Sequence, residues 1–526
     1  MAPGNQIDRG LPPSIQPTEK ILILDFGSQY TQLIARRVRE LEVFSEIVPF
    51  SMSASELAAK KPYGIILSGG PASVYAEGAP LCDPALFSLS VPILGICYGM
   101  QLMAHLLGGS VEKSSRREYG RTHLTIKENA DLFAGLAREI PVWMSHGDKI
   151  DRLPDEFESI AVTDHSPAAV IRHRKRPFYG LQFHPEVSHT PDGTHLLENF
   201  IRSICGCKPT WNMGLYLKEA QQRIKEEIGH RSAIAAISGG VDSTVAAVLV
   251  QQAIGDRLRC VFVDNGLLRK NEAQEVSETL SRLHLNLKLI NAEEQFLTKL
   301  SSVKDFEERR KIIGQEFISL FEQEARADHE IAYLVQGTLY PDLIESGLKN
   351  GLSAKIKTHH NVGGLPEKMN LSLVEPLRFL FKDEVRKLGA ALQIPASILN
   401  RHPFPGPGLA VRILGDVTKE KLNRLREADA IVEEEIRAAN LYQAIWQAFA
   451  VDLSVQSVGV MGDKRTEESV IAVRAVTSID GMTADWAKIP HDVLASISTR
   501  ITNEVHGVNR VVYDISSKPP STIEWG

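Results

Sequence analysis

The chain has 526 residues, too many for one hydrophobic core, and about 150 residues per domain predicts three or four domains. A net charge of -6 argues against a general nucleic-acid binder, because such proteins present a strongly basic face. With 43% hydrophobic and 24% charged residues, the composition is that of an ordinary soluble protein. The longest apolar stretch, residues 91–109, is interrupted by glycine and polar residues and falls short of the roughly 20 apolar residues of a membrane helix. We expect no nucleic acid and no membrane among the partners.

The N-terminal residues and the cysteines give two further expectations about the chain. Residues 1–18 carry four prolines and no apolar core, which predicts a disordered tail and not a secretory signal. Five cysteines are few and odd in number, so we expect no disulfide framework and a reducing, cytoplasmic location. Cys205 and Cys207 lack further ligands at zinc spacing, and we interpret them as ordinary thiols.

Short apolar runs that end in glycine recur through the first four hundred residues, and most lead into a longer amphipathic stretch. Such runs suit strands buried on both faces, and the repetition of strand, glycine turn and helix predicts βαβ units with parallel sheets. Ligands bind beyond the carboxyl ends of such strands, where these glycines lie. The runs are residues 20–27, 63–70, 91–99, 231–240, 259–266 and 331–338.

Two breaks interrupt this pattern, one near Thr210 and one at the proline-rich residues 401–409. After the second break we predict a helix from about Thr418 to Phe449, two strands, a helix near 492–505 and a closing strand at 509–516, which is an α+β arrangement. The predicted parts of the chain are therefore 1–18, 19–208, 209–401 and 402–526.

Cys97 lies at the centre of Gly95-Ile96-Cys97-Tyr98-Gly99, which has the form of a nucleophile elbow. A sharp turn between strand and helix leaves no room for side chains two positions either way, and it exposes the thiol at a helix N-terminus that favours thiolate. The amide of Tyr98, with one from the turn at 68–71, would form an oxyanion hole. A cysteine between glycines is also a common packing residue, so the motif needs a partner.

That partner is the segment Gln182-Phe183-His184-Pro185-Glu186. On an extended segment His184 and Glu186 point the same way. The imidazole would take the thiol proton while the carboxylate fixes its tautomer. Alone, His184 would be interpreted as a structural histidine, but together with Cys97 the functional interpretation is favoured.

Residues 20–205 resemble a class I glutamine amidotransferase, because DFGSQYTQLIARRVRE, LSGGPASVY, GICYGMQ, SHGD and QFHPEV occur in that family's order. The resemblance implies a flavodoxin-like domain that releases ammonia through a thioester. It implies Cys97 as nucleophile, His184 as base and Glu186 as its orienter. It also implies that the glutamine and its oxyanion are held by Gly69, Gly70, Tyr98 and Gln101.

A second glycine-rich turn, SGGVDST, follows a predicted strand and opens a helix. Its glycines let backbone amides approach an anion at a helix start, but the G-K-[ST] ending of a Walker A loop is missing. The string also suits a turn that binds nothing. It resembles the signature of the ATP pyrophosphatases, which have an adenine nucleotide alpha hydrolase-like fold and leave AMP on a substrate oxygen. This resemblance implies an ATP site formed by Ser238, Gly239, Gly240, Val241, Asp242, Ser243, Thr244, Val263, Gly337 and Lys382.

Cleavage of ATP at the α-phosphate disperses negative charge, so we expect Mg²⁺ together with ATP. Asp242 is a candidate metal ligand, and a helix-capping role suits it equally. Polar and flexible residues between 356 and 364 suit a mobile lid or a solvated loop. The lid residues would be Lys357, Thr358, His359 and His360.

Over about 500 residues the order of motifs resembles the GMP synthetases, with VGVMGD, RHPFPGPGL and VNRVVYDISSKPPSTIEW as distinctive segments. Three positions depart from that family's pattern: Phe306, Gln456 and Gly526. The resemblance implies a homodimer formed through the C-terminal domain. Xanthosine 5′-monophosphate (XMP) would contact Arg310, Gln447, Arg510, Lys518, Ile523 and Glu524.

The sequence therefore predicts two parallel-sheet α/β domains, an amidotransferase at 19–208 and an ATP pyrophosphatase at 209–401, and a small α+β domain at 402–526 for dimerisation and nucleotide binding. The predicted reaction aminates XMP to GMP with ATP and ammonia from glutamine. Two alternatives stay open: a pyrophosphatase-loop ligase with another acceptor, and an inactive regulatory homologue. The intact Cys97, His184 and Glu186 set and the intact SGGVDST string disfavour the second.

Overall fold

A computed structural model describes residues 19–348, 371–461, 463–478 and 483–526 of the chain. The chain divides into two compact units, one ending at Tyr216 and the other beginning at Leu217. Within the described ranges, no helix combines the length and the apolar character that crossing a bilayer requires.

The first unit is built on a nine-stranded sheet in the order β2-β1-β3-β4-β9-β8-β7-β5-β6. The first five strands in this order, β2, β1, β3, β4 and β9, run parallel to one another. The other four, β8, β7, β5 and β6, continue the sheet through antiparallel pairs. Strands β1, β3, β4 and β9 are mostly apolar and almost wholly buried, as expected for strands covered on both faces, while β2 at the sheet edge is partly exposed. The strands are β1 (Lys20–Asp25), β2 (Phe44–Pro49), β3 (Gly64–Leu67), β4 (Ile93–Ile96), β5 (Ser110–Ile126), β6 (Glu139–Arg152), β7 (Phe157–Val162), β8 (Val170–His173) and β9 (Phe178–Leu181).

The helices of this unit connect the parallel strands, so the predicted strand, turn, helix order is confirmed at the carboxyl ends of β1 and β4. Because β4 and β9 are neighbours and parallel, the residues that follow them meet at one edge of the sheet. The helices are α1 (Thr31–Glu40), α2 (Ala54–Ala59), α3 (Tyr98–Leu106) and α4 (Gly193–Glu198).

The second unit contains a five-stranded parallel sheet in the order β12-β11-β10-β13-β14. The order reverses at β10, the strand that leads into the SGGVDST turn, which is where α/β sheets bind ligands. The strands are β10 (Ser232–Ile237), β11 (Leu258–Asp264), β12 (Leu287–Asn291), β13 (Ile331–Val335) and β14 (Ser372–Val374). The helices between Met213 and Leu399 are α5 (Met213–Ile228), α6 (Val241–Ile254), α7 (Glu272–Arg282), α8 (Glu293–Leu300), α9 (Phe306–Arg326), α10 (Tyr340–Leu348), α11 (Lys382–Ala391) and α12 (Ala396–Leu399).

The C-terminal part of this unit is a four-stranded sheet packed on two helices. Strand β16 pairs antiparallel with β15 and β17 and parallel with β18. One apolar core joins this part to the parallel sheet, since Phe296 and Leu425 belong to the same buried cluster. The elements are α13 (Lys419–Ala438), β15 (Gln447–Met461), β16 (Lys464–Thr477), β17 (Asp485–Trp486), α14 (His491–Glu504) and β18 (Val508–Asp514).

The predicted fold class is confirmed: two α/β parts with parallel strands and a C-terminal α+β part. The helix predicted from Thr418 to Phe449 was wrong in its last third. It ends at Ala438, Asn440 has a positive φ of 57°, and β15 begins at Gln447. The three boundaries between the four predicted parts of the chain stay predictions.

Candidate active site

Cys97 stands between β4 and α3 in a strained turn with φ 51° and ψ -104°. A residue with a side chain rarely adopts this conformation, and here the surrounding backbone imposes it. Gly99 is required on the far side of the turn, because a Cβ there would lie 2.3 Å from the Leu67 carbonyl oxygen. The turn therefore presents the thiol side chain at the N-terminus of α3.

His184 and Glu186 form a buried pair beside Cys97. His184 Nδ1 lies 2.7 Å from Glu186 Oε1, and the two residues are 4% and 0% exposed. The segment is not the extended one predicted, since bends and a turn follow β9. The Glu186 carboxylate thus accepts a hydrogen bond from Nδ1 of the ring. The other ring nitrogen is thereby left as the one available to a thiol.

The electrostatics of the pair favour a charged imidazole. Burial alone would lower the pKa of His184, but the charge of Glu186 and the hydrogen bond with Cys97 raise it well above its ordinary value. Glu186 Oε2 has no hydrogen-bond partner within the described ranges, so the imidazole is the group that compensates this buried carboxylate. The imidazole thus lies against both the Glu186 carboxylate and the Cys97 thiol.

The other four cysteines are free thiols, but their surroundings oppose ionisation. Burial raises the pKa of Cys82, Cys207 and Cys260 to about 12, and it raises that of Cys205 well above the ordinary value. Because the thiolate is the nucleophilic form, Cys97 is the thiol of this chain whose setting suits catalysis.

The predicted glutamine residues lie around this pair. A Cβ on Gly69 would be 3.2 Å from His184 Cε1, and one on Gly70 would be 3.3 Å from the Tyr98 ring. The turn at 68–70 thus runs alongside the thiol and its histidine. Gln101 is 3% exposed and lies on the first turns of α3. The structure brings all four predicted residues, Gly69, Gly70, Tyr98 and Gln101, to one place.

Sequence reasoning missed residues that complete the wall of this site. Gln101 Nε2 donates to the Asp148 carbonyl oxygen at 3.0 Å and to Gln182 Oε1 at 3.2 Å. Gln182 Nε2 in turn lies 3.8 Å from Cys97 Sγ. The carbonyl oxygen of Ser145 lies 3.8 Å from the same sulfur. The SHGD and QFHPEV motifs could have indicated these residues, because Ser145 and Asp148 belong to the first motif and Gln182 to the second.

In the second unit, the SGGVDST turn lies between β10 and α6, as predicted. Gly239 has a φ of +75°, which a glycine adopts without cost. Ser238 Oγ and Ser243 Oγ lie 3.0 Å apart, and Thr244 Oγ1 donates to the Gly240 carbonyl oxygen at 2.8 Å. Hydroxyls and amides therefore surround the start of a 14-residue helix, which is a setting for an anion.

Lys382 and Asp242 join the phosphate turn to α11. Lys382 Nζ lies 2.6 and 2.7 Å from the two carboxylate oxygens of Asp242. Gly337 packs against the same turn, because a Cβ there would be 3.2 Å from the Asp242 carbonyl carbon. Val263, another residue of the predicted ATP site, is buried near the end of β11. The structure thus places Asp242, Gly337 and Lys382 together at this sheet edge.

Asp242 was also the predicted Mg²⁺ ligand. The described residues contain no group of three or more His, Cys, Asp or Glu side chains that could hold a metal ion by themselves. Mg²⁺ in nucleotide sites usually rests on one or two carboxylates, with substrate phosphates and water completing the shell. One carboxylate on the turn fits that arrangement, provided that Lys382 releases it. The predicted lid residues, Lys357 to His360, lie outside the described residues.

The predicted XMP residues fall into two groups. Gln447 Nε2 donates to Glu524 Oε1 at 2.6 Å, and Ile523 packs in a small apolar cluster beside Trp525. Arg310 donates to the carbonyl oxygen of Gly526. The structure therefore brings Arg310, Gln447, Ile523 and Glu524 to one region around the C-terminal residues.

Arg510 and Lys518 belong to the second group. Arg510 is exposed on β18, where it donates from Nε to Ser457 Oγ at 3.1 Å and from Nη2 to the Val458 carbonyl oxygen at 3.4 Å. Lys518 is held through its backbone, which pairs with Ala484. Their predicted contacts with XMP stay predictions.

Two of the three departures from the family pattern meet in space. A Cβ on Gly526 would lie 2.4 Å from the Phe306 ring, so the ring occupies the space that a side chain at 526 would need. The third departure, Gln456, is exposed on β15 opposite Ser469.

Comparison with known proteins gives three consecutive domain matches. A model of class I glutamine amidotransferases matches residues 22–204, one of NAD synthases matches 216–334, and one of the GMP synthase C-terminal domain matches 434–525. A glutamine-hydrolyzing GMP synthase of Aquifex aeolicus is 58% identical over 96% of this chain and 99% of its own length. Proteins of the same name from Carboxydothermus hydrogenoformans and Brachyspira hyodysenteriae are 56% and 54% identical over 96% of this chain and 99% of theirs.

The chain belongs to the GMP synthase family. The resemblance predicted from the motifs is thereby confirmed over nearly the whole length. Membership also makes ATP the expected co-substrate of the second unit. The roles of individual site residues stay predictions, and the geometry above is their support.

Arg412 is a buried partner of Glu524 that the sequence analysis did not single out. It is 0% exposed, and its Nε and Nη2 donate to the two Glu524 oxygens at 3.1 and 2.9 Å. Its guanidinium also lies 4.0 Å from the centre of the Phe449 ring. An arginine within the apolar string LAVRIL signals a buried ion pair, because an unpaired charge there would be very costly.

We expect Glu186→Gln to lower the pKa of His184, because the amide keeps a hydrogen-bond acceptor but no longer supplies the charge that offsets burial. Hydrolysis of the glutamine amide should fall about 100-fold. NMR of ring-labelled histidine against pH measures the shift directly. Since the folded-state pKa lies above the unfolded one, the stabilisation from this pair is full at low pH and is lost as pH rises through the folded pKa.

Glu198→Gln, at the end of α4, is the matched control. It removes an exposed carboxylate and should leave the His184 titration unchanged. An unchanged titration in Glu186→Gln itself would contradict the assigned cause.

Proposed function

We propose that this chain is a glutamine-dependent GMP synthase that aminates XMP with ATP and ammonia taken from glutamine. The observation that carries the proposal is the buried Cys97, His184 and Glu186 constellation in a chain that also holds a lysine-clamped phosphate turn. Family membership over 96% of the chain supports both halves. The free cysteines suit the cytoplasm, where we place the enzyme.

In the glutamine half, the Cys97 thiolate attacks the side-chain amide carbon of glutamine. The developing oxyanion would be held by the amides of Gly70 and Tyr98, which lie at the turn and at the start of α3. Protonated His184 then gives its proton to the leaving nitrogen, and ammonia departs as the thioester forms. Water, activated by the same imidazole, hydrolyses the thioester to glutamate and restores the thiol.

In the ATP half, the O2 atom of XMP attacks the α-phosphorus of ATP and pyrophosphate leaves. The backbone and hydroxyls of the SGGVDST turn would hold the departing phosphates, and Lys382 would neutralise their charge. Ammonia then attacks C2 of the adenylated base and AMP departs with the former O2 atom. GMP, AMP, pyrophosphate and glutamate are the products.

Magnesium would supply further charge neutralisation to the phosphates when bound. Asp242 would hold it, since this carboxylate is the anionic group of the phosphate turn. Binding of ATP would then transfer Lys382 from the Asp242 carboxylate to a phosphate oxygen.

We also propose that two copies of the chain associate through the C-terminal part. Val458 and Val460 are 47% and 75% exposed on the same face of the β15–β16 hairpin, and Val455 nearby is 52% exposed. Exposed β-branched residues on a two-stranded hairpin are an unfavourable surface for a single chain and a suitable one for a symmetric partner.

Sedimentation equilibrium should give about twice the 58.1 kDa mass of one chain. Val458→Asp should shift that mass towards a single chain, because a charge in the interface is not compensated. A monomer for the unmodified protein at micromolar concentration would contradict the association.

For the reaction itself, we expect Cys97→Ala to abolish GMP formation from glutamine, because no thioester can form. Formation of GMP from added ammonium salt should stay within about twofold of the unmodified enzyme, because the ATP half does not use the thiol. Steady-state rates with each nitrogen donor measure both effects.

Chelation of Mg²⁺ is the complementary control, and it should stop amination with either donor. Loss of the ammonium-dependent rate in Cys97→Ala would contradict the separation of the two halves. Formation of GMP from glutamine by this variant would contradict the role of the thiol.

A further inference from the structure

Glu118 and His146 form a buried ion pair beside the glutamine site. They lie opposite each other on β5 and β6, are 7% and 6% exposed, and approach to 3.2 Å between Glu118 Oε2 and His146 Nε2. Neither residue belongs to the Cys97, His184 and Glu186 constellation. The desolvation of two buried groups offsets their mutual attraction, so such a pair contributes little to the stability of the fold. Its position beside the glutamine site therefore calls for another explanation.

The hairpin register shows how the pair is placed. Lys113 pairs with Asp148, and the next pair is Glu118 with His146. Between these two pairs β5 advances by five residues and β6 by only two, which is a shift of register. Such a bulge redirects the strand that carries it and is a feature of functional regions. Here it brings the Glu118 carboxylate against the residue that precedes Gly147 and Asp148.

Glu118 is itself held firmly. Thr163 Oγ1 donates to Glu118 Oε1 at 3.0 Å, and the amide of Ser166 donates to Thr163 Oγ1 at 3.0 Å. Burial would raise the pKa of Glu118, but the hydrogen bonds from His146 and Thr163 lower it below its ordinary value. The carboxylate is therefore an anion with both oxygens occupied.

His146 carries this anchoring towards the thiol. Its Nδ1 lies 2.9 Å from the Asp148 carbonyl oxygen, which also accepts from Gln101 Nε2 at 3.0 Å. The two ring nitrogens therefore bridge the Glu118 carboxylate and the Asp148 backbone. The adjacent Ser145 carbonyl oxygen lies 3.8 Å from Cys97 Sγ. The segment from 145 to 148 thus connects the buried pair to Gln101 and to the thiol.

We propose that Glu118 and His146 are positioning residues of the glutamine site, which hold residues 145–148 so that Gln101 and the Asp148 backbone bind the glutamine substrate. This inference rests on the proposed function. Neither side chain touches the reacting atoms, so they act through the segment and not on the chemistry.

The test is Glu118→Gln, which preserves the volume of the side chain but removes its charge. We expect the KM for glutamine to rise about tenfold while the rate with ammonium salt stays within twofold. Alkylation of Cys97 by iodoacetamide should keep its rate, because His184 and Glu186 are untouched. Inactivation by a diazoketone analogue of glutamine should slow about tenfold, because this reagent must occupy the positioned site.

Two further variants sharpen the test. Glu112→Gln removes the exposed partner of Lys149 on the same hairpin and should leave the KM for glutamine unchanged. His146→Asn keeps an amide donor near the Nδ1 position and should retain more of the glutamine affinity than His146→Ala, because the contact with the Asp148 carbonyl oxygen survives.

An unchanged KM for glutamine in Glu118→Gln would overturn the inference. Equal slowing by iodoacetamide and by the diazoketone, with loss of the ammonium-dependent rate, would also overturn it, because the pair would then serve folding alone. Failure of the proposed function has a different signature: the unmodified enzyme would make no GMP from glutamine.

Discussion

The hydrogen bond from His184 to the buried Glu186 carboxylate is the interaction on which the nitrogen chemistry depends. One oxygen of that carboxylate has no hydrogen-bond partner within the described ranges, and the other lies 2.7 Å from His184 Nδ1, so the imidazole is the direct partner of the carboxylate. A buried anion with a single compensating group keeps that group protonated. The ring also hydrogen-bonds with Cys97, whose strained backbone presents the thiol at the start of α3.

Both candidate sites use the same structural solution, a tight turn where a parallel strand meets a helix. At Cys97 the turn leaves no space for a side chain at Gly99, and at the phosphate turn Gly239 adopts a positive φ. The charges differ according to the ligand. The thiol faces an imidazole paired with a carboxylate, while a lysine paired with a carboxylate lies at the phosphate turn. The proposed roles, a nucleophile for an amide and a binding turn for an anion, match these two settings.

Much of this was accessible from the sequence, because strands, glycine turns and helix starts are local patterns. The buried runs, the elbow around Cys97 and the SGGVDST turn all lie where those patterns predicted them. The errors and omissions concern distant contacts. Arg412 and Glu524 are separated by 112 positions, and Glu118 meets His146 only through a bulge in a hairpin. The end of α13 at Ala438 was missed because apolar spacing continues into β15, where tertiary pairing decides the structure.

If the chain is a glutamine-dependent GMP synthase, nitrogen released at the thiol and an adenylated purine oxygen must be used in the same turnover. A single reaction with amide-¹⁵N glutamine, ATP, Mg²⁺ and XMP carrying ¹⁸O at position 2 tests this by mass spectrometry of the products. We expect GMP with ¹⁵N on its exocyclic amine, AMP with ¹⁸O on its phosphate, and pyrophosphate without label in equal amount. Formation of ADP and orthophosphate, or release of the ¹⁸O into water, would contradict it.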